Sequence, residues 1–296
     1  MSIPKIPSYP MPTQAGDNRV QWQASAQRAV LLVHDMQDYF LDFYERASAP
    51  IPTLIAHTRR LIDEAHAQGI PVVYTAQLPE QTPLERGLLQ AMWGPGLTAQ
   101  PQRKNIAAEL APQPQDTVLD KWRYSAFQKS RLLDIMREQA RDQLLICGLY
   151  AHIGCLMTAG EAFMQDIQAF LVADALADFS AQEHDMALRY VAQRCGRTVL
   201  TEPLLQSLRA RVPASKAELQ SLVAASLHLP ATEVQDEDNL LDWGLDSIRI
   251  MSLLEGWRRA GLDISFMALA EQPTLAAWWA LLRGHTQPLH PEAVCA

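Results

Sequence analysis

The sequence predicts an α/β domain of three layers, with helices on both faces of a six-stranded parallel sheet, followed by a small all-α bundle. Two observations carry the first domain: six short apolar or β-branched runs, and amphipathic helical patterns between them. A third observation carries the second: three helical patterns, Lys216–Leu229, Ile248–Arg259 and Pro273–Leu282, close the sequence. At 296 residues the chain is also long for one domain, and a prior of ~150 residues per domain points to two.

The expected strands are Ala29–His34, Pro71–Ala76, Thr117–Asp120, Gln143–Leu149, Ala169–Ala173 and Thr198–Leu200. Helical patterns fall at Ile51–Gln68, Lys129–Gln139, Cys155–Ile167 and Ala181–Arg194. Continuous apolar strands between amphipathic helices need cover on both faces, hence the three layers. The stretch Gln77–Gln115 holds Pro79, Pro83, Pro95, Pro101, Pro112 and Pro114. So long an irregular segment in a folded domain marks a functional loop or disorder. Pro203 to Ser215 is basic and proline-interrupted, which suggests the linker. The expected division is residues 1–205 for the α/β domain, 206–214 for the linker, 215–286 for the bundle and 287–296 for a tail.

Composition, with 48% hydrophobic and 20% charged residues, is that of an ordinary soluble globular protein. No apolar run reaches the 18 residues of a membrane span, and Met1-Ser2-Ile3-Pro4 opens no secretory signal. Cys147, Cys155, Cys195 and Cys295 form no CxxC pair, so free thiols in a reducing cytoplasm are expected. The net charge of −8 argues against nucleic acid. Most of it lies after residue 212, where 11 acids meet 5 bases. Asp236, Glu237, Asp238, Asp242 and Asp246 crowd the approach to Ser247, a pattern suited to steering a small domain toward basic docking surfaces.

In an open parallel sheet, ligands bind beyond the carboxyl ends of the strands. At those ends stand His34-Asp35, Thr75-Ala76-Gln77, Lys121-Trp122-Arg123-Tyr124 and Gly148-Leu149-Tyr150-Ala151-His152-Ile153-Gly154. A carboxylate, an amide, a lysine and a glycine-rich helix start converge there.

Two resemblances carry function. Gly244-Leu245-Asp246-Ser247-Ile248, at the start of an apolar-periodic segment, resembles the attachment site of the carrier proteins of non-ribosomal peptide and fatty-acid synthesis. The resemblance implies 4'-phosphopantetheine on Ser247. Lys121-Trp122-Arg123-Tyr124-Ser125-Ala126-Phe127 resembles the lysine motif of the isochorismatase-like, or cysteine hydrolase, superfamily. That superfamily uses an Asp–Lys–Cys triad. Asp35 and Lys121 match its first two members, and counting on from Gly148 puts Gly154 at the third, with Cys155 one position later. A glycine supplies no thiolate for acyl transfer. The chain is therefore similar to the isochorismatase branch, which Trp93-Gly94-Pro95-Gly96 and Tyr150–Gly154 also fit. As a whole it resembles the bifunctional isochorismatase–aryl carrier proteins of catechol siderophore synthesis.

The resemblance implies hydrolysis of the vinyl ether of isochorismate to 2,3-dihydro-2,3-dihydroxybenzoate and pyruvate. Protonation of the terminal vinyl carbon creates an oxocarbenium ion that water attacks. Asp35 is the expected general acid, Arg86 a bidentate carboxylate clamp, and Lys121, Gln77 and Tyr150 hydrogen-bond donors. Trp93 is expected to help line the substrate site. Backbone N–H groups near Gly154 are expected to hold one carboxylate. The carrier implies as partners a phosphopantetheinyl transferase, a 2,3-dihydroxybenzoate-activating adenylation enzyme and a condensation domain, with a homo-oligomer expected. Met251, Phe266 and Ala270 are the expected docking patch, with burial in the bundle core the alternative for Met251 and Phe266. No metal is expected, because neither His34 nor His152 has ligand spacing with a second histidine or carboxylate. Trp278-Trp279 reads as bundle core and Cys147 as a buried strand residue. An amino-isochorismate hydrolase of the phenazine type would have no use for Ser247. An inactive scaffold before a working carrier would not need Asp35, Lys121 and Gln77.

Overall fold

Ala29–His34 (β1) is six consecutive buried residues, as a central strand covered on both faces requires. In the computed structural model, which describes residues 3–209, 212–260 and 262–286, five further strands join it. They are Val72–Gln77 (β2), Thr117–Lys121 (β3), Gln143–Leu149 (β4), Gln168–Ala177 (β5) and Gly196–Val199 (β6), all parallel in the order β3-β2-β1-β4-β5-β6. Side chains alternate between faces. Leu31 and Val33 enter one core layer, with Leu54 and Leu61 of α1 (Ile51–Gln68). Val30 and Leu32 enter the other, beneath α2 (Leu132–Glu138), α3 (Leu156–Met164) and α4 (Ala181–Arg194).

The chain runs outward from β1 through β2 to β3, then returns to place β4 on the other side of β1. The switch point therefore lies between β1 and β4, and it opens the crevice where ligands of such sheets bind. Asp35 follows β1 directly and Gly154 follows β4 by five residues.

The linker expectation needs correction. Residues 206–208 belong to α5 (Thr201–Leu208), whose Leu204, Leu205 and Leu208 are buried in the same layer as α1. Pro203 stands in the first turn of that helix, where its missing N–H costs no hydrogen bond, so it does not break the helix. The chain divides into two compact units between Arg209 and Ala210.

The second unit contains α6 (Lys216–Ser226), α7 (Ser247–Arg259), α8 (Phe266–Glu271) and α9 (Leu275–Thr286). Their buried faces meet in one core that includes Leu219, Leu254, Trp257 and Trp278. Trp278 is fully buried, meets Trp257 edge to face at 6.1 Å, and donates its indole N–H to the Leu269 carbonyl at 2.9 Å. Trp279 packs at the margin of this core. Among the described residues no helix is long and apolar enough to cross a membrane. Cys147, Cys155 and Cys195 are buried free thiols. Cys295 and the expected tail 287–296 lie outside the described residues.

Candidate active site and carrier site

One pocket at the switch point brings together Asp35, Gln77, Arg86, Trp93, Lys121, Tyr150 and Gly154. Its chemistry begins at Asp35. This residue has a left-handed backbone (φ 49°), a conformation that a non-glycine residue holds only where its surroundings impose it. The Thr75 hydroxyl meets Oδ1 at 2.6 Å, and Lys121 Nζ lies 3.4 Å from Oδ2. Lys121 is itself buried and donates to the Arg123 carbonyl at 2.5 Å. Burial lowers the lysine's pKa from its ordinary value, with Asp35 opposing.

Arg86 is only 4% exposed, and its partners are neutral: the Gly94 carbonyl at 2.5 Å and the Gln81 side chain at 3.3 Å. Among the described residues it forms no ion pair, and burial lowers its pKa as expected of a cation short of counter-charge. The Trp93–Gly96 motif explains its seat. A Cβ on Gly96, whose φ is +59°, would lie 2.2 Å from the guanidinium. Only glycine leaves that space. A buried guanidinium with open donors at a pocket wall is built for an anion.

Gly154 lies in a π-helical turn, Ala151–Cys155, between β4 and α3. The amides of Ile153 and Cys155 both donate to the Tyr150 carbonyl at 3.2 Å, so these two are not free to hold a substrate carboxylate as expected from the sequence. Cys155 points into the core beneath the sheet, and burial, reinforced by Asp35, raises its thiol pKa well above the ordinary value. It is an inert thiol. Cys147, buried in β4, is likewise pushed up to about 12 by burial.

The space before Gly154 is filled by His34. A Cβ there would lie 2.2 Å from imidazole Cε1. The His34 Nδ1 is 2.6 Å from the Leu149 carbonyl, an acceptor, so Nδ1 carries the hydrogen.

The remaining lining departs from expectation in places. Tyr150 donates its hydroxyl to the Phe40 carbonyl at 3.2 Å and sits edge-on to Phe179 at 4.7 Å. It offers the pocket a ring rather than the free donor anticipated. Trp93 donates its indole N–H to the Tyr124 hydroxyl at 2.8 Å. Gln77 is tied through its backbone to the Gln37 side chain, leaving its own amide at the pocket. Arg123, Tyr39 and Phe179 also line the pocket; the sequence places Arg123 at a strand end without giving it a role, and Tyr39 and Phe179 escaped the sequence reading. Arg123 lies inside the Lys121–Phe127 motif, which was the available signal; Phe179 had none.

His152, Asp178 and Glu183 have donor atoms within 4.8 Å of one another, a proximity the spacing did not suggest. Asp178 is fully buried and already accepts from the amides of His152 and Phe179 and from His152 Nδ1. Burial opposes the charge on His152, but its bond to Asp178 outweighs that and raises its pKa. The group is a satisfied loop anchor.

In the second unit, Ser247 is the first residue of α7 and is exposed. Asp246 takes the capping role, its carboxylate accepting from the Arg249 amide at 2.9 Å, so the Ser247 hydroxyl is not consumed by the cap. Gly244 (φ +90°) turns the chain into the helix through a conformation that suits glycine. Ile248, Met251 and Phe266 line a groove beside Ser247. Met251 is 38% exposed, whereas Phe266 packs partly against the bundle core, a mixture of the two readings expected for them. Ala270 is partly buried on α8 and does not line the groove. The exposed hydroxyl and the adjacent apolar groove fit a phosphopantetheine arm.

The isochorismatase domain family matches residues 29–203, and the phosphopantetheine attachment site family matches residues 217–282. The chain is 47% identical to Isochorismatase from Bacillus subtilis over 309 aligned positions, covering 99% of both chains. It is 49% identical to Enterobactin synthase component B from Escherichia coli over 284 positions, covering 95% of this chain and 98% of that one. Among solved structures, a cysteine hydrolase from Pseudomonas syringae pv. phaseolicola superposes with a TM-score of 0.59 at 21% identity, over 64% of this chain and 95% of the other. That likeness is one of fold.

Proposed function

The chain belongs to the isochorismatase family, with a phosphopantetheine-attachment domain behind the hydrolase domain, and we propose that it hydrolyses isochorismate and carries an aryl acid as a thioester on Ser247. The observation that carries the hydrolytic half is a glycine where a thiol hydrolase needs its nucleophile, facing a retained Asp35–Lys121 pair in a cationic pocket. Such a site transfers protons without forming an acyl-enzyme.

Isochorismate carries two carboxylates and a vinyl ether. Arg86 and Arg123, both at the pocket wall, neutralise the carboxylates and fix the ring. Asp35 gives a proton to the terminal vinyl carbon, which becomes the methyl group of pyruvate. The neighbouring carbon becomes an oxocarbenium centre, water adds to it, and the resulting hemiketal collapses to pyruvate and 2,3-dihydro-2,3-dihydroxybenzoate. Thr75 and Lys121 hold the Asp35 carboxyl at its two oxygens and so set its direction. Trp93, Tyr150 and Phe179 close the apolar wall and keep bulk water away.

For the carrier half, Ser247 accepts 4'-phosphopantetheine from a phosphopantetheinyl transferase. The bound arm supplies a thiol that holds 2,3-dihydroxybenzoate as a thioester. An adenylation enzyme loads it and a condensation domain of a siderophore synthetase receives it, in keeping with the name of the Escherichia coli relative. The alternative hydrolase of the phenazine type would leave Ser247 without a role, and both relatives named above match across the carrier as well.

The test is direct. The purified chain should release pyruvate from isochorismate, and incubation with coenzyme A and the transferase should add one phosphopantetheine mass, absent in Ser247→Ala. A folded protein that gives neither pyruvate nor the mass gain refutes the reading.

A further inference from the structure

The attack of water on the oxocarbenium carbon needs a group that takes a proton from that water, and we propose that His34 is this catalytic base. The inference rests on the hydrolytic reading above. The His34 ring is fully buried, and Nδ1–H is committed to the Leu149 carbonyl. Nε2 therefore carries a lone pair, and no donor reaches it, the Tyr124 carbonyl near the ring being itself an acceptor. A buried acceptor left unpaired is destabilising and calls for an explanation. Its position supplies one. A Cβ on Gly154 would lie 2.2 Å from Cε1 and 2.8 Å from Nε2. The ring thus stands where the side chain of a nucleophile at position 154 would project, and it lines the same pocket as Asp35. With glycine at 154 the imidazole occupies that place, so the site holds a base, and no thiol, beside the point of attack.

Asp35 is poorly placed to do both jobs. Its Oδ1 meets the Thr75 hydroxyl and its Oδ2 faces Lys121. The titratable groups facing the His34 ring are the Asp35 carboxyl, 3.7 Å from Nδ1, and the Lys121 amine. Burial drives the ring's pKa down to about 4, opposed by Asp35 and by the Leu149 and Tyr124 carbonyls and assisted by Lys121. At neutral pH the imidazole is in its base form.

The proton balance closes within the site. Asp35 protonates the vinyl carbon and becomes the carboxylate. Water bonds to the oxocarbenium carbon as Nε2 takes one of its protons, giving a neutral hemiketal and a charged imidazole. The imidazole returns that proton to the ring oxygen as the carbon–oxygen bond breaks. The hemiketal hydroxyl gives its proton to Asp35 as the pyruvate carbonyl forms.

The experiment compares the wild type with His34→Gln, which keeps the bulk and the donor to Leu149 but has no basic nitrogen, and with His34→Ala, using isochorismate and a pyruvate readout. The expected result is a kcat lower by about 100-fold in both, with KM within roughly threefold. Free imidazole should restore part of the His34→Ala rate in proportion to its unprotonated fraction. The wild-type kcat/KM should fall on acidification through about pH 4, and that limb should be absent from His34→Gln. A His34→Gln protein with more than about a third of the wild-type kcat, or with the acid limb unchanged, overturns the assignment. If the variants do not fold, a wild-type profile without an acid limb overturns it. A wild type that releases no pyruvate refutes the hydrolase reading itself, and a wild type that turns over alongside an equally active His34→Gln refutes only the role of His34.

Discussion

Gly154 packs so closely on His34 that a Cβ at position 154 would lie 2.2 Å from imidazole Cε1. The absent nucleophile has therefore not left a hole. Its place is taken by a ring anchored to the Leu149 carbonyl, so restoring the cysteine does not restore thiol chemistry. Gly154→Cys should overpack the site at a cost of about 1–3 kcal/mol, a fall in Tm of roughly 2–12 °C for a domain of this size. It should also release pyruvate at least tenfold more slowly. Differential scanning calorimetry with the pyruvate assay checks both, and a fully stable, fully active Gly154→Cys would mean that the ring moves freely.

Asp35 and Cys155 should separate cleanly. Asp35→Ala removes the proton donor and should lower kcat by at least 10²–10⁴-fold. Cys155→Ser changes a buried thiol facing the core beneath the sheet, and should leave kcat within about threefold in protein that remains folded by circular dichroism. Comparable losses from the two would put Cys155 in the chemistry.

Among the described residues, Arg86 is a buried cation that forms no ion pair. Its replacement by Gln removes charge-assisted hydrogen bonds worth about 1.5–3 kcal/mol each, so KM for isochorismate should rise by roughly 10–100-fold. Arg86→Lys should recover little of this, because an ammonium cannot reproduce the planar fork. Equal KM values in Arg86→Gln and wild type would remove it from substrate binding.

Much of this was legible in the sequence, for identifiable reasons. Ala29–His34, Gln143–Leu149, Ile51–Gln68 and Ala181–Arg194 occur at the expected bounds, because apolar runs and helical periodicity report burial directly. Thr201–Leu208 was missed because Pro203 reads as a breaker when its place in the first turn is unknown. The π-turn Ala151–Cys155 leaves no period in the sequence. Asp35, Lys121 and Arg86 were visible as strand-end or loop charges. What stayed hidden was the contact between His34 and Gly154 and the commitment of the Tyr150 hydroxyl to Phe40, since both depend on distances between elements remote in sequence.

The carrier unit makes a graded prediction. Ser247→Ala should abolish pantetheinylation while pyruvate release continues unchanged. Met251 is 38% exposed and Phe266 is partly packed on the bundle core, so Met251→Asp should slow transfer of the aryl thioester about tenfold without loss of helicity. Phe266→Asp should combine slow transfer with a lower Tm. Helical content by circular dichroism and condensation rates with the loaded carrier distinguish them. Unfolding of residues 212–286 by Met251→Asp would make that residue core and refute the docking patch.

The central claim is hydrolysis through protonation and water attack on the side-chain carbon, with no covalent enzyme intermediate. It is tested most directly by mass spectrometry of the ring product after turnover of isochorismate in oxygen-18 water. Water adds to the oxocarbenium carbon, so the ether oxygen should stay on the ring and 2,3-dihydro-2,3-dihydroxybenzoate should emerge unlabelled alongside pyruvate. Oxygen-18 in a ring hydroxyl, or pyruvate formed without this ring product, would contradict the account.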